Sequence, residues 1–227
     1  MYNLPMPPVT EELGAIYNSN TKSVRFALWA PSAFEVQVNL YKQHAKNIPD
    51  FELEAEYNKS LGIWSVTFDD VDPENFAYDF SVRTIRGKNF CLDPYAKSMV
   101  AFRNDRTSGR GVIVDMQSEQ SGEKKLSTKY VPLKKYSDAI IYEVSVRDFT
   151  SSPDSFTAEH GTYSAFIEKI PYLQSLGITH IQLMPVLSFY FNDELAQRYE
   201  NAGTVKNNNY NWGYDPHSYF SPTGWFS

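Results

Sequence analysis

One stretch near the end of the sequence combines aromatic rings, an amide and a carboxylate: Tyr210-Asn211-Trp212-Gly213-Tyr214-Asp215-Pro216. Gly213 lets the backbone bend between two large rings and approach a ligand closely, because it has no side chain. Pro216 pushes Asp215 towards an extended conformation and so fixes where its carboxylate points. The residues alone leave two interpretations open. One is an aromatic platform for a ligand with a hydrogen-bonding acid beside it, and the other is a turn whose rings belong to a core.

Other polar residues suggest further kinds of site. Glu143, Asp148 and Asp154 could supply the two facing carboxylates that glycoside hydrolysis needs. Asp215 and His217 are two members of a serine–histidine–aspartate triad, but no serine in a nucleophile-elbow setting accompanies them. The four histidines lack a ligand spacing such as His-Glu-x-x-His, so no metal site is expected. No cofactor is expected either. Calcium stays open, although no loop of regularly spaced Asp and Asn indicates it.

The composition limits the class of protein that carries these residues. The 227 residues are 42% hydrophobic, which is enough for a packed core and too much for a disordered chain. The formal charge of −6 argues against a nucleic-acid partner, because phosphate contacts need clustered Lys and Arg. No apolar run reaches the roughly 18 residues of a membrane-spanning helix, so no membrane partner is expected. The 15% of aromatic residues would suit a core or a carbohydrate-binding protein.

Two features bear on the compartment. The N-terminal residues lack the basic and apolar regions of a signal peptide, and Cys91 is a single cysteine that cannot form an internal disulfide. Both features favour the cytoplasm. A secreted or cell-surface chain whose signal peptide had been removed would look the same, so that alternative stays open.

The first half of the sequence has the pattern of an antiparallel β-sandwich. Residues 24–29 alternate in polarity and stop at Ala30-Pro31, which is a turn signal. Short strands of this kind, separated by turn-forming segments, are typical of sandwiches. Trp29 and Trp64 lie in such strands, where we expect them in the core rather than stacked on a sugar. The further predicted strands are residues 36–41, 51–56, 63–68, 76–85 and 112–114.

The second half changes to an α/β pattern after a polar segment, residues 117–137, that is predicted to be a linker. Residues 139–146 are a nearly continuous apolar run, typical of a strand buried on both faces of a parallel sheet, and residues 178–184 are predicted to be a second buried strand that ends at Pro185. Between them the sequence predicts a helix over residues 163–176, with Thr162 as its N-cap and a kink at Pro171. Strand, helix and strand form one βαβ unit. The predicted apolar stripe of the helix is Phe166, Ile167, Ile170, Leu173 and Leu176.

Three stretches resemble proteins that act on starch and glycogen. Phe26-Ala27-Leu28-Trp29-Ala30-Pro31-Ser32-Ala33 is similar to the opening of the sandwich modules that precede debranching and branching enzymes. Residues 140–149 resemble the first barrel strand of the α-amylase superfamily of glycoside hydrolases, and residues 176–186 resemble its second strand. In that superfamily the nucleophile, the acid and a third aspartate lie on later strands. The resemblance therefore implies that Glu143, Asp148 and Asp154 are not catalytic, and that Arg147 and Asp148 are structural.

A fourth stretch, residues 210–216, resembles the heptapeptide typical of type I pullulanases, which hydrolyse α-1,6 branch linkages. The resemblance implies that Tyr214 stacks on the glucose ring before the scissile bond. It also implies that Asp215 binds sugar through hydrogen bonds and that Trp212 acts mainly by packing. Tyr210 and Asn211 complete the predicted substrate-binding set. Related branching enzymes keep Trp-Gly-Tyr but differ around it, so the heptapeptide favours hydrolysis over transfer.

The expected organisation follows from these observations. Residues 1–116 form an immunoglobulin-like, carbohydrate-binding-module-like sandwich, residues 117–137 a linker, and residues 138–227 the first part of a (β/α)8 TIM barrel. A complete barrel takes about 250 residues, so we expect no catalytic residue in this chain and an exposed apolar sheet face.

The expected partners follow from the same resemblance. They are an α-glucan such as pullulan, amylopectin, glycogen or a limit dextrin, and the remainder of the barrel, in the same parent chain or in a second polypeptide. Two alternatives stay open. One is a non-catalytic α-glucan-binding protein, and the other is a fragment of a related branching enzyme or transferase.

Overall fold

The computed structural model describes residue 6 and residues 10–42, 48–100, 109–116, 132–190 and 211–226. The chain divides into two compact units. The first unit comprises Met1–Val100, Asp105–Glu123 and Ser218–Ser221, and the second comprises Ala101–Asn104, Lys124–His217 and Pro222–Ser227. Most of the predicted linker, residues 117–131, lies outside the described residues. The predicted domain boundaries therefore stay a prediction.

The first unit contains two antiparallel sheets. One sheet has the strand order β1-β2-β6-β5, and the other has the order β4-β3-β7-β10-β9 with β8 paired to β7. The described strands are β1 (Gly14–Asn18), β2 (Ser23–Trp29), β3 (Glu35–Tyr41), β4 (Phe51–Glu54), β5 (Glu56–Asn58), β6 (Ile63–Phe68), β7 (Ala77–Thr84), β8 (Gly87–Cys91), β9 (Ser98–Met99) and β10 (Gly111–Val112). A 3-10 turn, Pro73–Asn75, precedes β7.

Alternate side chains of the two sheets form the main core of the first unit. Val24, Phe26 and Leu28 project from β2 into the same cluster as Val36, Val38 and Leu40 from β3 and Tyr78 and Phe80 from β7. The rings of Phe26 and Tyr78 lie 5.0 Å apart between centroids. Burial of each large apolar side chain contributes about 1.5–3 kcal/mol. The predicted β-sandwich is therefore confirmed.

The segment over residues 51–56 is not the single strand that the sequence predicts. Glu54 of β4 pairs with Gln37 of β3, whereas Glu56 of β5 pairs with Ser65 of β6 in the other sheet. Ala55 joins the two strands, and its amide donates to the carbonyl of Val36 at 2.9 Å. Both halves are extended, so their polarity pattern does not reveal that the chain passes from one sheet to the other at this residue.

The second unit contains one parallel strand pair and three short helices. Strand β11 (Ile141–Val144) pairs with β12 (His180–Leu183) in parallel, in the register Ile141↔His180. The helices are α1 (Val146–Thr150), α2 (Tyr163–Glu168) and α3 (Ile170–Ser175), with 3-10 turns at Tyr136–Asp138, Pro153–Ser155 and Gly224–Phe226. The buried core of this unit consists of Val144, Val146, Phe166, Leu173, Phe189, Trp225 and Phe226. Within the described residues no helix is long and apolar enough to cross a membrane.

The predicted helix over residues 163–176 is in fact two helices. Thr162 caps the first, as predicted, because its hydroxyl accepts from the amide of Ala165 at 3.1 Å. Lys169 separates the helices, and Pro171 lies in the first turn of α3, where its missing N–H disrupts no helical hydrogen bond. The predicted kink is therefore a complete break. The predicted apolar stripe is wrong at Ile167 and Leu176, which are 61% and 50% exposed.

The apolar strands of the second unit are not buried on both faces, contrary to the sequence prediction. Ile141 is 61% exposed, and Ile181 and Leu183 are 39% and 41% exposed. The first strand also ends earlier than predicted, because Ser145 caps α1 by accepting from the amide of Asp148. Two paired strands cannot cover both of their faces, so the expected exposed apolar sheet face is present among the described residues.

Candidate functional site

The loop of residues 211–217 lies against the segment of residues 187–190, which follows β12. Phe189 forms an isolated antiparallel bridge with Pro216. The amide of Tyr190 donates to the carbonyl of Asp215 at 3.2 Å, and the amide of His217 donates to the carbonyl of Ser188 at 2.9 Å. Phe189 itself is buried in the core of the second unit. The backbone of residues 188–190 thus connects the loop to the core of the second unit.

Gly213 has a backbone conformation in which any other residue would be strained. Its φ is +84°, in the left-handed region that favours glycine. A Cβ at this position would lie 3.1 Å from Cδ1 of Phe189 and 3.1 Å from the carbonyl oxygen of Pro185. The backbone therefore bends between the two flanking rings, as the sequence predicts, and it packs closely against the core.

The two rings beside Gly213 point away from the core. Trp212 is 61% exposed and Tyr214 is 63% exposed. The hydroxyl of Tyr214 donates to Oε1 of Glu143 on β11 at 3.5 Å. The interpretation of this stretch as a turn with core aromatics is therefore wrong for both rings. Tyr210, the remaining predicted aromatic residue, lies outside the described residues.

The side chain of Asn211 organises the polar part of the loop. Its Nδ2 group donates to the carbonyl of Tyr190 at 2.9 Å and to the two carboxylate oxygens of Asp215 at 3.0 and 3.2 Å. Its Oδ1 accepts from the amide of Gly213 at 2.8 Å. Asp215 is half-buried and directly follows the exposed Tyr214 in sequence. Its role as a sugar-binding acid beside an aromatic platform stays a prediction.

His217 is a neutral, packed residue rather than part of a catalytic triad. Its Nε2 lies 3.1 Å from Oγ of Ser188, and its ring centroid lies 4.9 Å from that of Tyr190. Burial lowers the pKa of His217 to about 4, although the charge of Asp215 opposes this shift. Ser188 is only 1% exposed, so its hydroxyl cannot act as a nucleophile on a substrate.

The other carboxylates considered from the sequence do not form a described pair. Asp148 lies in α1 and accepts from Arg147 at 3.1 Å, and the guanidinium of Arg147 lies 5.3 Å from the centre of the buried Trp225 ring. These contacts agree with the structural role expected for both residues. Asp154 lies in the 3-10 turn Pro153–Ser155, and Glu143 contacts Tyr214. Among the described residues no group of three His, Cys, Asp or Glu side chains could hold a metal ion, and the expected absence of a cofactor stays a prediction.

The two tryptophans of the sandwich differ in their environment. Trp64 is 9% exposed, stacks on Tyr57 and donates from Nε1 to the carbonyl of Ala30 at 3.0 Å. The predicted core position is confirmed for Trp64. Trp29 is half-buried and packs at the edge of a small cluster formed by Leu13, Ala27 and Ile63.

Phe90 is an exposed aromatic residue that sequence reasoning missed. It is 60% exposed on β8 and pairs with Ser81 of β7, which pairs in turn with Gln37 of β3. Nζ of Lys88 donates to Oε1 of Gln37 at 2.7 Å. A ring flanked by hydrogen-bonding side chains is a second arrangement suited to a sugar. The only sequence signal for it is an aromatic residue in a strand that otherwise lacks apolar alternation.

A buried polar cluster lies on the same sheet. Asp79 accepts from Nδ2 of Asn39 at 2.6 Å and from the hydroxyl of Tyr41 at 3.0 Å, and it lies 3.6 Å from Nε of Arg110. Burial raises the pKa of Asp79 above its ordinary value, although these three partners oppose the shift. These contacts join β3, β7 and the residue before β10, so the cluster is a structural element of the sheet.

The sandwich is similar to a known protein family. Residues 12–96 match the family carbohydrate-binding module 48, the isoamylase N-terminal domain. This range begins just before β1 and ends shortly after β8, so it covers most of both sheets.

The similarity to characterised proteins extends over nearly the whole chain. Pullulanase A of Streptococcus pneumoniae serotype 4 is 39% identical over 236 aligned positions, which cover 95% of this chain and 18% of that protein. A crystal structure of the pullulanase of Group B Streptococcus is 36% identical with a TM-score of 0.82, covering 96% of this chain and 29% of that one. The same enzyme has been crystallised in complex with maltotetraose, with a TM-score of 0.81 to this chain. The chain thus spans less than a third of the length of these relatives.

Proposed function

We propose that this chain forms the α-glucan-binding N-terminal portion of a debranching enzyme, because residues 12–96 match the carbohydrate-binding module 48 family and nearly the whole chain is similar to pullulanases. The substrate class is a branched α-glucan such as pullulan, amylopectin, glycogen or a limit dextrin. The second unit is the first part of a (β/α)8 barrel, and the remainder of the barrel, which supplies the catalytic carboxylates, is its partner. The complete enzyme hydrolyses α-1,6 linkages with retention of configuration, through a carboxylate nucleophile and a general acid.

The exposed pair Trp212 and Tyr214 is the observation that carries this proposal. An exposed patch that contains more than one large ring is typical of surfaces that bind a ligand or a partner. Here the core-packed Gly213 and the hydrogen bonds of Asn211 hold the rings outward beside Asp215. In the proposed site Tyr214 stacks on a glucose ring, and the Asp215 carboxylate accepts from sugar hydroxyls.

Titration of the 227-residue chain with maltotetraose by isothermal calorimetry tests this role. Tyr214→Ala should lower the affinity about tenfold, which corresponds to about 1.4 kcal/mol, and leave the melting temperature nearly unchanged. Tyr172→Ala is a matched control, because Tyr172 is a 53% exposed tyrosine on α3 of the same unit. Equal affinities for Tyr214→Ala and the unmodified chain would refute the role of Tyr214. A large fall in melting temperature would instead assign the ring to the fold.

The catalytic part of the proposal makes a separate prediction. The 227-residue chain should release no reducing sugar from pullulan, because we expect its catalytic carboxylates on later barrel strands. Within a complete enzyme, Tyr214→Ala should lower kcat more than about tenfold, since stacking strengthens as the sugar approaches an oxocarbenium-like transition state. Turnover by the 227-residue chain at the rate of an intact pullulanase would contradict the expectation that the catalytic carboxylates lie on later barrel strands.

A second candidate function is α-glucan binding by the sandwich alone. The exposed Phe90 beside Lys88 and Gln37 favours it. The same titration separates the two candidates. Phe90→Ala lowers the affinity for maltotetraose if the sandwich carries the site, whereas Tyr214→Ala lowers it if the loop carries the site.

A further inference from the structure

We infer that Asn211 is a positioning residue, which sets the conformation of the aromatic loop without contacting the glucan. This inference rests on the proposed function of residues 211–216 as a glucan-binding loop. It changes the role of Asn211 from the substrate contact that the sequence predicts to an internal support.

The hydrogen-bonding capacity of Asn211 is almost fully used within the protein. A side-chain amide has two N–H donors. In Asn211 these donors serve the carbonyl of Tyr190 at 2.9 Å and the carboxylate of Asp215 at 3.0 Å. Its oxygen already accepts from the amide of Gly213 at 2.8 Å. A sugar hydroxyl that bound to the Nδ2 group would have to displace one of these internal partners.

The bond between Asn211 and Gly213 sets the direction of the two rings. An Asn side chain that accepts from the amide two residues later closes a turn of the backbone. Trp212 lies inside this turn and Tyr214 follows it. Gly213 cannot move towards the core, since Phe189 and the carbonyl of Pro185 already lie close to it. The closed turn therefore holds both rings outward.

The bond between Asn211 and Asp215 sets the direction of the carboxylate. The amide group points at both oxygens of Asp215, at 3.0 and 3.2 Å. The same amide group also contacts the carbonyl of Tyr190, whose own amide donates to the carbonyl of Asp215. Asn211 thus links the polar end of the loop to the segment that anchors it, and it presents Asp215 in one orientation to a ligand.

Three variants test this role in the 227-residue chain. Asn211→Ala removes all the bonds of the side chain. Asn211→Asp keeps an oxygen for the amide of Gly213 but removes the donors and places a second carboxylate beside Asp215. Combining Asn211→Asp with Asp215→Asn restores an amide–carboxylate bond in the reverse sense. The probe is maltotetraose, and the single Asp215→Asn variant completes the cycle.

A positioning role gives a distinct pattern of affinities. Asn211→Ala should weaken maltotetraose binding about tenfold. Asn211→Asp should weaken binding strongly when Asp215 is present and only slightly when residue 215 is already changed by Asp215→Asn, because the pair then regains its bond. Amide hydrogen exchange gives a readout without ligand. The amide of Gly213 should be protected in the unmodified chain and in the double variant, and it should exchange faster in Asn211→Ala.

Two results would overturn the inference. The first is unchanged maltotetraose affinity and unchanged Gly213 exchange in Asn211→Ala. The second is equal losses of affinity from Asn211→Asp in both backgrounds, which would indicate direct contact with the sugar. Failure of the proposed function has a different signature. Either the unmodified chain would not bind maltotetraose, or Tyr214→Ala would bind it as tightly as the unmodified chain does. The exchange of the Gly213 amide would still report on Asn211 in that case.

Discussion

The two units of this chain differ in how completely the apolar side chains of their strands are buried. In the sandwich, alternate side chains of β2, β3 and β7 are almost completely buried, and Val24, Phe26 and Val38 are each 0% exposed. In the second unit residues 139–146 are a nearly continuous apolar run, yet Ile141 of β11 is 61% exposed, and Leu183 of the neighbouring β12 is 41% exposed. A strand that alternates in polarity needs one covering layer, whereas a continuous apolar strand needs two. The exposure of β11 and β12 is therefore consistent with a proposed partner, the remainder of the barrel.

The largest expected effect is a difference in the free energy of unfolding between substitutions in the buried strands and substitutions in the exposed strands. Phe26→Ala should lower the free energy of unfolding by about 3–5 kcal/mol, because it opens a cavity next to Tyr78 in the sandwich core. Ile141→Ala on the exposed face of β11 should lower it by less than about 1 kcal/mol. Urea unfolding followed by circular dichroism measures both. A cost for Ile141→Ala equal to that of Phe26→Ala would show that the comparison is wrong.

The second prediction concerns the pH dependence of the two units, which should have opposite signs. His217 has a folded-state pKa of about 4, below its ordinary value of 6.5, so between these values the unfolded chain binds more protons. The stability of the second unit should therefore rise from pH 4 to pH 6.5, by about 1–2 kcal/mol once partial solvent screening is allowed for. Asp79 has a raised pKa, so its contribution to the first unit is present at low pH and is lost as the pH rises through that folded-state pKa.

Amide hydrogen exchange at pH 4, 5 and 6.5 measures this difference, corrected for the intrinsic rate. Protection in α2 should increase with pH, while protection in β3 and β7 should decrease. His217→Gln and Asp79→Asn are the controls, because each should reduce the pH dependence of its own unit only; burial also raises the pKa of Asp93, so part of the pH dependence of the first unit should remain in Asp79→Asn. The same sign of pH dependence in both units would contradict the prediction.

The smallest expected effect is the difference in stability between the same substitution, Thr→Ala, in the two units. Thr162→Ala removes the N-cap of α2 and should cost about 1 kcal/mol. Thr67→Ala changes an exposed position of β6, where the hydroxyl has no capping role, and should cost less than about 0.5 kcal/mol. Thermal melts of the two variants measure the difference. Equal costs would indicate that capping contributes little to the second unit, and Thr162→Ser should restore most of the stability if capping matters.

The parts of the fold that were predictable from the sequence are those with a local pattern. Strands β2, β3, β6 and β7 alternate in polarity and end at turn formers, so their positions were predicted to within about two residues. Strand β8 was missed because four of its five residues are exposed and no alternation marks it. The break at Lys169 was missed because the apolar spacing runs through it without interruption.

In the candidate site, too, the predictable features are those that a local sequence pattern specifies. The bend at Gly213 and the acid beside the rings follow from residues adjacent in sequence. The support of the loop depends on groups that are distant in sequence: Asn211 bonds to the carbonyl of Tyr190, and Tyr214 bonds to Glu143, 71 positions away. No local pattern specifies such partners, so the internal role of Asn211 emerged only from the structure.

Ala55 is the single residue between a strand of one sandwich sheet and a strand of the other. The Cα atoms of Glu54 and Glu56 are two residues apart and can lie at most about 7 Å from each other, so these ends of the two sheets cannot separate beyond that distance while β4 and β5 remain paired. The opening of either edge strand must pull on its neighbour across the core. The two sheets are therefore expected to unfold as a single cooperative unit, with one opening free energy shared by their slowest-exchanging amides.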